Sequence, residues 1–320
     1  MQIIFVTGAE GFIGRHVLKH LEAAGYEVIA GVRNRARKLA HERNHGRAMV
    51  CDVADAINVA RVIATVRPDG IIHLASVTNP AVAHEEPLSA YQTTVTGWAN
   101  LLDAVRRCVP RARVVLTSAC DVYGNAGADG SALTEDMPPA PITTIGSWKR
   151  IAETVADVFY RDYHLNIAVA RPFHCTGPGQ SDQFFFGAIA RRLAAWNPDG
   201  EYDELRVPDL DCQRDVLHVD DVAAAFEHLL CGGRPNKVYN ICSGTALTCR
   251  ELVSAMIAET EHSIRLSDLP TDEAADQVSI LRGDNGKMQR EFGWTPARTA
   301  MEAVQELVRS HSDHLATTAK

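Results

Sequence analysis

Three glycines set the first chemical expectation. Gly8, Gly11 and Gly14 stand three apart in Thr7-Gly8-Ala9-Glu10-Gly11-Phe12-Ile13-Gly14, directly after the apolar run Ile3–Val6. A strand that turns into a helix there aims free backbone N–H groups and the positive helix end at a diphosphate. The glycines permit the tight turn and the close backbone approach. A tight strand–helix turn without a ligand is the other reading of the same residues. Near the middle of the chain, Arg171-Pro172-Phe173-His174-Cys175 carries an imidazole that can exchange a proton near neutral pH. A satisfied structural histidine is the alternative. The 8 cysteines, at 51, 108, 120, 175, 212, 231, 242 and 249, form no CxxC pair and no zinc-ligand spacing, so no metal site is expected. They read as reduced thiols, which points to the cytoplasm.

The elements that must hold these groups follow from periodicity. Short apolar runs recur at Ile3–Val6, Val28–Ala30, Ala48–Val50, Ile71–Leu74, Val114–Leu116 and Ile167–Ala170. Helical patterns fill the gaps at His16–Ala24, Ile57–Val66, Tyr91–Arg107 and Trp148–Tyr163. That alternation predicts a doubly wound α/β domain, a parallel sheet covered on both faces. After Arg171-Pro172 the pattern changes, with Gly, Pro and Asp frequent through Pro208–Asp211. A helix near Val219–Leu230, a strand near Val238–Ile241 and a helix near Cys249–Glu259 follow. The expected organisation is a Rossmann domain over 1–175, rejoined by 214–243, and a smaller discontinuous substrate lobe from 176–213 and 244–315. With 320 residues the chain has ample length for such a core. A net charge of −8 argues against nucleic acid or an anionic membrane as the main partner. No apolar run approaches the ~20 residues of a membrane helix. The chain opens directly on a strand, with no room for a signal peptide.

These motifs together resemble a known family. TGxxGFIG at Thr7–Gly14, Asp52 after the third strand and His73-Leu74-Ala75-Ser76 at the fourth are similar to the extended short-chain dehydrogenase/reductases, the NAD-dependent epimerase/dehydratase family. Arg171–Gln180, Arg214–Val222, Val238–Gly244 and Gly283–Trp294 resemble stretches of the GDP-4-keto-6-deoxymannose reductases and related dehydratases within it. The resemblance covers nearly the whole chain. It implies a cofactor site formed by Gly8, Glu10, Gly11, Phe12, Ile13, Gly14, Asp52, Val53, Leu74, Ala75, Lys149 and Pro172. It also implies a homodimer packed through helices of Pro87–Arg107 and Trp148–Tyr163. Asp52 would accept from the adenine amine; capping the next helix is its alternative role. At the end of strand two, where NAD-preferring relatives carry an acid for the ribose hydroxyls, this chain has Gly31-Val32-Arg33-Asn34-Arg35. Two guanidinium groups suit a 2′-phosphate, so NADP(H) is expected, with NAD(H) the second option; a solvated basic start to a helix is the other reading of these arginines.

The catalytic positions depart from the family. Its members use a tyrosine, a lysine four residues later, and a serine or threonine that binds the substrate oxygen. Here Lys149 is present, but the tyrosine position is Ile145 and the serine position, four before Tyr123, is Ala119. An isoleucine cannot donate a proton, so the usual relay is excluded. Asp121 aligns with a carboxylate that acts as acid and base in the dehydratases, or is simply polar at a strand end. Asp121, Lys149 and His174 are therefore the catalytic candidates. Thr78, Ala119, Asp121, Ile145, His174 and Arg214 are the substrate-side candidates. Thr143, Thr144 and Ser147 read as loop caps. The family's second diphosphate arginine aligns with Ala274–Gln277 and is absent. Trp98, Trp148, Trp196 and Phe184-Phe185-Phe186 could line an apolar pocket or fill the core.

Three functions fit these features. The leading expectation is an NADPH-dependent ketone reductase without the tyrosine donor, similar by shared absence to tailoring ketoreductases of antibiotic biosynthesis. The second is a GDP- or dTDP-sugar reductase, epimerase or dehydratase. The third is a catalytically silent NADP-binding scaffold or sensor.

Overall fold

The computed structural model describes residues 2–44, 46–196, 204–269 and 278–318. The first half runs β1 (Ile3–Thr7), α1 (Phe12–Ala23), β2 (Glu27–Val32), α2 (Arg35–Asn44), β3 (Ala48–Val50), α3 (Ala56–Val66) and β4 (Gly70–His73). It continues through α4 (Pro80–Glu85), α5 (Pro87–Tyr91), a π-helical turn at Gln92–Thr96, α6 (Gly97–Cys108), β5 (Arg113–Thr117), a 3₁₀ turn at Cys120–Tyr123, α7 (Thr144–Tyr163) and β6 (Asn166–Pro172). The second half holds β7 (His174–Thr176), α8 (Phe185–Ala194), β8 (Glu204–Val207), β9 (Gln213–His218), α9 (Val219–Gly232) and β10 (Lys237–Ile241). It ends with β11 (Ala246–Thr248), α10 (Cys249–Ala258), β12 (Arg265–Asp268), β13 (Ile280–Leu281), α11 (Gly286–Phe292) and α12 (Ala300–Thr318).

Seven strands form one sheet in the order β10-β6-β5-β4-β1-β2-β3, every pairing parallel. Each apolar run found in the sequence falls on one of these strands, the run Ile71–Leu74 passing the end of β4 by one residue. Their side chains alternate between two cores. Ile4 and Val6 of β1 join the side covered by α1 and α9, while Phe5 joins the side covered by α3, α6 and α7. The helices meet the sheet with stripes at helical spacing: Val17, Leu18 and Leu21 in α1, and Val59, Val62, Ile63 and Val66 in α3. The order of strands reverses between β1 and β4. That switch point opens a crevice at the carboxyl ends of the strands.

A second lobe surrounds another core of α8, α10 and α12 with Leu205, Val207 and Val216. Its sheet pairs β9 with β7, β11 and β13, and β8 pairs with β12. Within 214–243, α9 and β10 belong with the large sheet, whereas β9 lies in the small one.

The helix expected over Tyr91–Arg107 is interrupted by the π turn, which falls on the β-branched run Thr93-Thr94-Val95-Thr96. Helix α2, Arg-rich on every face, had no apolar stripe to betray it; α8 does carry one, Phe186, Ile189, Ala190 and Leu193, which the sequence reading passed over in the Gly- and Asp-rich stretch. The idea that the aromatic residues form a pocket wall fails for two of them. Trp98 is fully buried in the α3–α6 core, and Phe186 is buried in the second lobe.

Candidate active site

The glycine loop joins β1 to α1 at the switch point. Gly8 has φ +65°, and a Cβ there would lie 2.7 Å from the Ala75 nitrogen at the end of β4. A Cβ on Gly14 would lie 2.3 Å from the Gly8 carbonyl oxygen. These two positions need glycine for the turn and for close helix–strand packing. Gly11 is the N-cap of α1 and has no side chain to bond the first helical N–H groups. The chain thus presents a helix amino end, with Phe12 and Ile13 opening it, toward the crevice. Thr7 ties the loop's base together: its hydroxyl meets His73 Nδ1 at 2.8 Å and accepts from the Ala75 N–H.

The groups expected to meet the nucleoside end of a dinucleotide flank this loop. Arg33 directly follows β2 and Arg35 opens α2, and both are exposed. The sequence reading missed a third guanidinium, Arg37, which pairs with Glu10 across the loop at 3.3 Å. Its signal lay in the arginine spacing at the start of α2. Asp52 does not cap α3. Asp55 does, accepting from the Ile57 and Asn58 N–H groups. The Asp52 carboxylate accepts only from the local Ala54 N–H among the described contacts and stays exposed. The Val53 side chain is buried, and its carbonyl accepts from Asn100. Leu74 and Ala75 follow β4, and Pro172 ends β6.

The reacting side lies over the ends of β5 and β6. Thr143 caps α7 by accepting from the Gly146 N–H, the capping role its position suggested. Gly146 lets this first turn press against the 3₁₀ turn, since a Cβ there would lie 2.5 Å from the Asp121 carbonyl oxygen. The first turn of α7 is thereby set against Asp121, whose carboxylate acts on the Lys149 ammonium. Lys149 is 3% exposed and its ammonium donates to the Thr117 carbonyl at 2.6 Å. Burial lowers its pKa to about 8, partly offset by the Asp121 and Glu153 carboxylates. Two buried hydroxyls at the same strand end, Thr117 Oγ1 and Ser118 Oγ, have no hydrogen-bond partner among the described residues. Glycine cradle, open helix end, buried ammonium and unpaired hydroxyls together fit a dinucleotide with a nicotinamide end.

Ile145 packs in an apolar cluster with Val77, Ala83, Ala90 and Trp148. Trp148 packs edge-on to Tyr91 at 5.3 Å, which accounts for it as a packing residue. Thr78 is exposed just beyond Val77. His174 stands open to solvent in the cleft, yet surrounding protein and then the Arg214 guanidinium lower its pKa to about 4, with Asp121 opposing. At neutral pH it is an uncharged imidazole. The role expected of it narrows from a charged acid to a hydrogen-bond partner. Arg214 is half-buried and donates to the Gln213 and Ser279 carbonyls. Asp121 thus acts electrostatically on both Lys149 and His174, and Arg214 on His174, so the four candidates lie within reach of one another. The aligned position of the second arginine, Ala274–Gln277, lies outside the described residues.

A wholly parallel sheet with a glycine loop at its switch point defines the class of dinucleotide-binding Rossmann proteins. The chain matches the NAD dependent epimerase/dehydratase family over residues 4–242 and belongs to that family. It is therefore an oxidoreductase-type member of the extended short-chain dehydrogenase/reductases. It is 29% identical over 308 residues to GDP-6-deoxy-D-mannose reductase of Pseudomonas aeruginosa, covering 96% of each chain. It is 28% identical over 312 residues to dTDP-6-deoxy-L-talose 4-dehydrogenase (NAD(P)(+)) of Kitasatospora kifunensis, covering 97% of this chain and 95% of the other. The solved structure of RMD from Pseudomonas aeruginosa complexed with NADPH superposes with a TM-score of 0.84 at 27% identity, over 98% of both chains.

Proposed function

We propose that this chain is an NADP(H)-dependent reductase of a nucleotide-linked keto sugar, working without a tyrosine proton donor. The observation that carries the reading is the buried Lys149 ammonium, anchored on the end of β5 and coupled to Asp121, with Ile145 one turn before it. Similarity to nucleotide-sugar reductases and dehydrogenases along almost the full chain supports the substrate class. Arg214 is the group suited to its diphosphate. Arg33 and Arg35 support a 2′-phosphate, hence NADP(H) over NAD(H).

Bound nicotinamide supplies the hydride. The protein's part is to hold charge and a proton where the alkoxide develops. Lys149 brings a positive charge into a dry site, where it is worth more than in water. A lysine near pKa 8 is also protonated at pH 7 yet a far stronger acid than a free one. Asp121 keeps that proton in place, and the neutral His174 offers a hydrogen bond at the cleft mouth. Residues 176–213 and 244–315 form the substrate lobe in this reading. Exposed Leu88 in α5 and Ile151 and Tyr163 in α7 favour a homodimer through these helices, which light scattering would read directly. The 8 unpaired cysteines fit a reducing, cytoplasmic setting.

A second reading, a tailoring reductase for a free aromatic or polyketide ketone, is favoured by the apolar surroundings of Ile145 and by Ala119. Calorimetry separates the two. Cofactor-stripped protein is titrated with NADPH and NADH, then again with GDP-mannose present. Coupled nucleotide-sugar binding is expected. Tight NADPH binding with no nucleotide-sugar effect would transfer the assignment to the free ketone.

A further inference from the structure

The substrate lobe carries a pair of thiols that the reaction above does not use. Cys212 follows the turn Asp209–Asp211 just before β9, and Cys249 opens α10 just after β11. The antiparallel register pairs Thr248 with Gln213, so the two cysteines are the next opposed positions. Their backbones are joined, with the Cys249 N–H donating to the Cys212 carbonyl at 2.8 Å. The next residue repeats the tie, Arg250 N–H to the Leu210 carbonyl at 2.8 Å. The two Sγ atoms stand 3.1 Å apart. A disulfide needs about 2.0 Å between sulfurs and Cα atoms about 5.5 Å apart, so opposed positions in a sheet need little backbone movement.

We propose that Cys212 and Cys249 form a redox modification site, a dithiol that a peroxide converts to an intramolecular disulfide. Cys212 is the attacking sulfur. It is half-buried and reachable, whereas Cys249 is 4% exposed. The Cys249 thiol hydrogen bond, helped by the Arg214 guanidinium and against the cost of burial, lowers Cys212 to about 7. The same bond and burial push Cys249 up. A thiol about half ionised at neutral pH beside a protonated partner is the arrangement of a nucleophilic and a resolving cysteine. The Cys212 thiolate attacks one peroxide oxygen, the O–O bond breaks and hydroxide leaves, giving a sulfenic acid. Cys249 loses its proton and attacks that sulfur, the S–OH bond breaks, and water leaves as the S–S bond forms. In sum, two thiols and one peroxide give one disulfide and two waters. The bond ties the strand bearing Arg214 to the start of α10. A dithiol reductant reverses it by exchange.

The test needs no substrate, so it stands apart from the functional reading. The whole reduced protein is treated with equimolar hydrogen peroxide at pH 7, and its intact mass and unreduced peptide map are recorded. Loss of two hydrogens with a 212–249 linked peptide is expected, reversed by dithiothreitol. Cys249→Ala is expected to leave a sulfenic acid on Cys212 that dimedone traps, and Cys212→Ser to abolish the mass loss. Before oxidation, the alkylation rate of Cys212 should rise with pH through a midpoint of about 7. The proposal is overturned if the link forms elsewhere, if no cysteine pair is oxidised, or if Cys212 alkylation does not rise between pH 6 and 8.

Discussion

The two sides of the cleft differ in how they are built. On the cofactor side the work is done by backbone: glycines at 8, 11 and 14, a helix end without a side-chain cap, and strand ends held in register by Thr7 and His73. On the proposed reacting side it falls to a few polar side chains, the charged Lys149, Asp121 and Arg214 and the uncharged His174, around an isoleucine and an alanine. Backbone geometry survives most sequence change because it depends on where Cβ atoms are forbidden. Side-chain chemistry is lost with one codon. The contrast shows how a chain can keep its cofactor architecture while its proton chemistry changes.

The largest effect should come from breaking the backbone side. Gly14→Val forces a branched side chain into the 2.3 Å gap against the Gly8 carbonyl. We expect NADPH affinity to fall by about 100-fold or more, near 3 kcal/mol, measured by calorimetry on protein whose circular dichroism is unchanged. Next is Lys149→Met, which keeps the stem and removes the charge. Turnover should drop by roughly 10²–10³, the range for loss of an electrostatic or proton-donating group. In the intact enzyme, carbonyl reduction should slow as pH rises through about 8. Lys149 is protonated below that value and neutral above it. A rate flat from pH 6 to 10 would remove Lys149 from proton transfer and leave it a cofactor contact.

Smaller effects sharpen the comparison. Arg33→Ala should weaken NADPH by about 10–100-fold, the loss of one charge-assisted hydrogen bond of about 1.5–3 kcal/mol, while NADH changes little. Equal losses for both cofactors would mean that the guanidinium does not read the 2′-phosphate. The smallest change is expected from Ile145→Tyr. A phenol there enters the apolar company of Val77, Ala90 and Trp148, so kcat should stay within about 3-fold of the starting enzyme. A gain of 100-fold would show that the site has merely lost its tyrosine and keeps no separate proton route.

The sheet was legible from the sequence because buried parallel strands read as uninterrupted apolar runs, and β1 to β6 each announced themselves so. The glycine loop was legible for a related reason: a position that excludes Cβ leaves a glycine in the sequence. Helix α2 was not, because a polar surface helix has no periodic stripe. Trp98 was ambiguous, since an aromatic residue beside a cleft and one inside a core look alike until packing is seen. Asp52 and Asp55 could each have capped α3, and only backbone direction at the helix start chose Asp55.

By itself, then, the sequence determined the sheet, the glycine cradle, the arginines after β2 and the absence of a phenol at 145. These are local properties, set by side-chain type and by spacing along one element. Tertiary structure decided the rest. It buried Lys149 against a strand carbonyl, brought His174 under the influence of Arg214, and set Cys212 opposite Cys249. Those residues lie 32, 40 and 37 positions from their partners. Proton affinity depends on burial and on neighbouring charge, and neither is local to the chain.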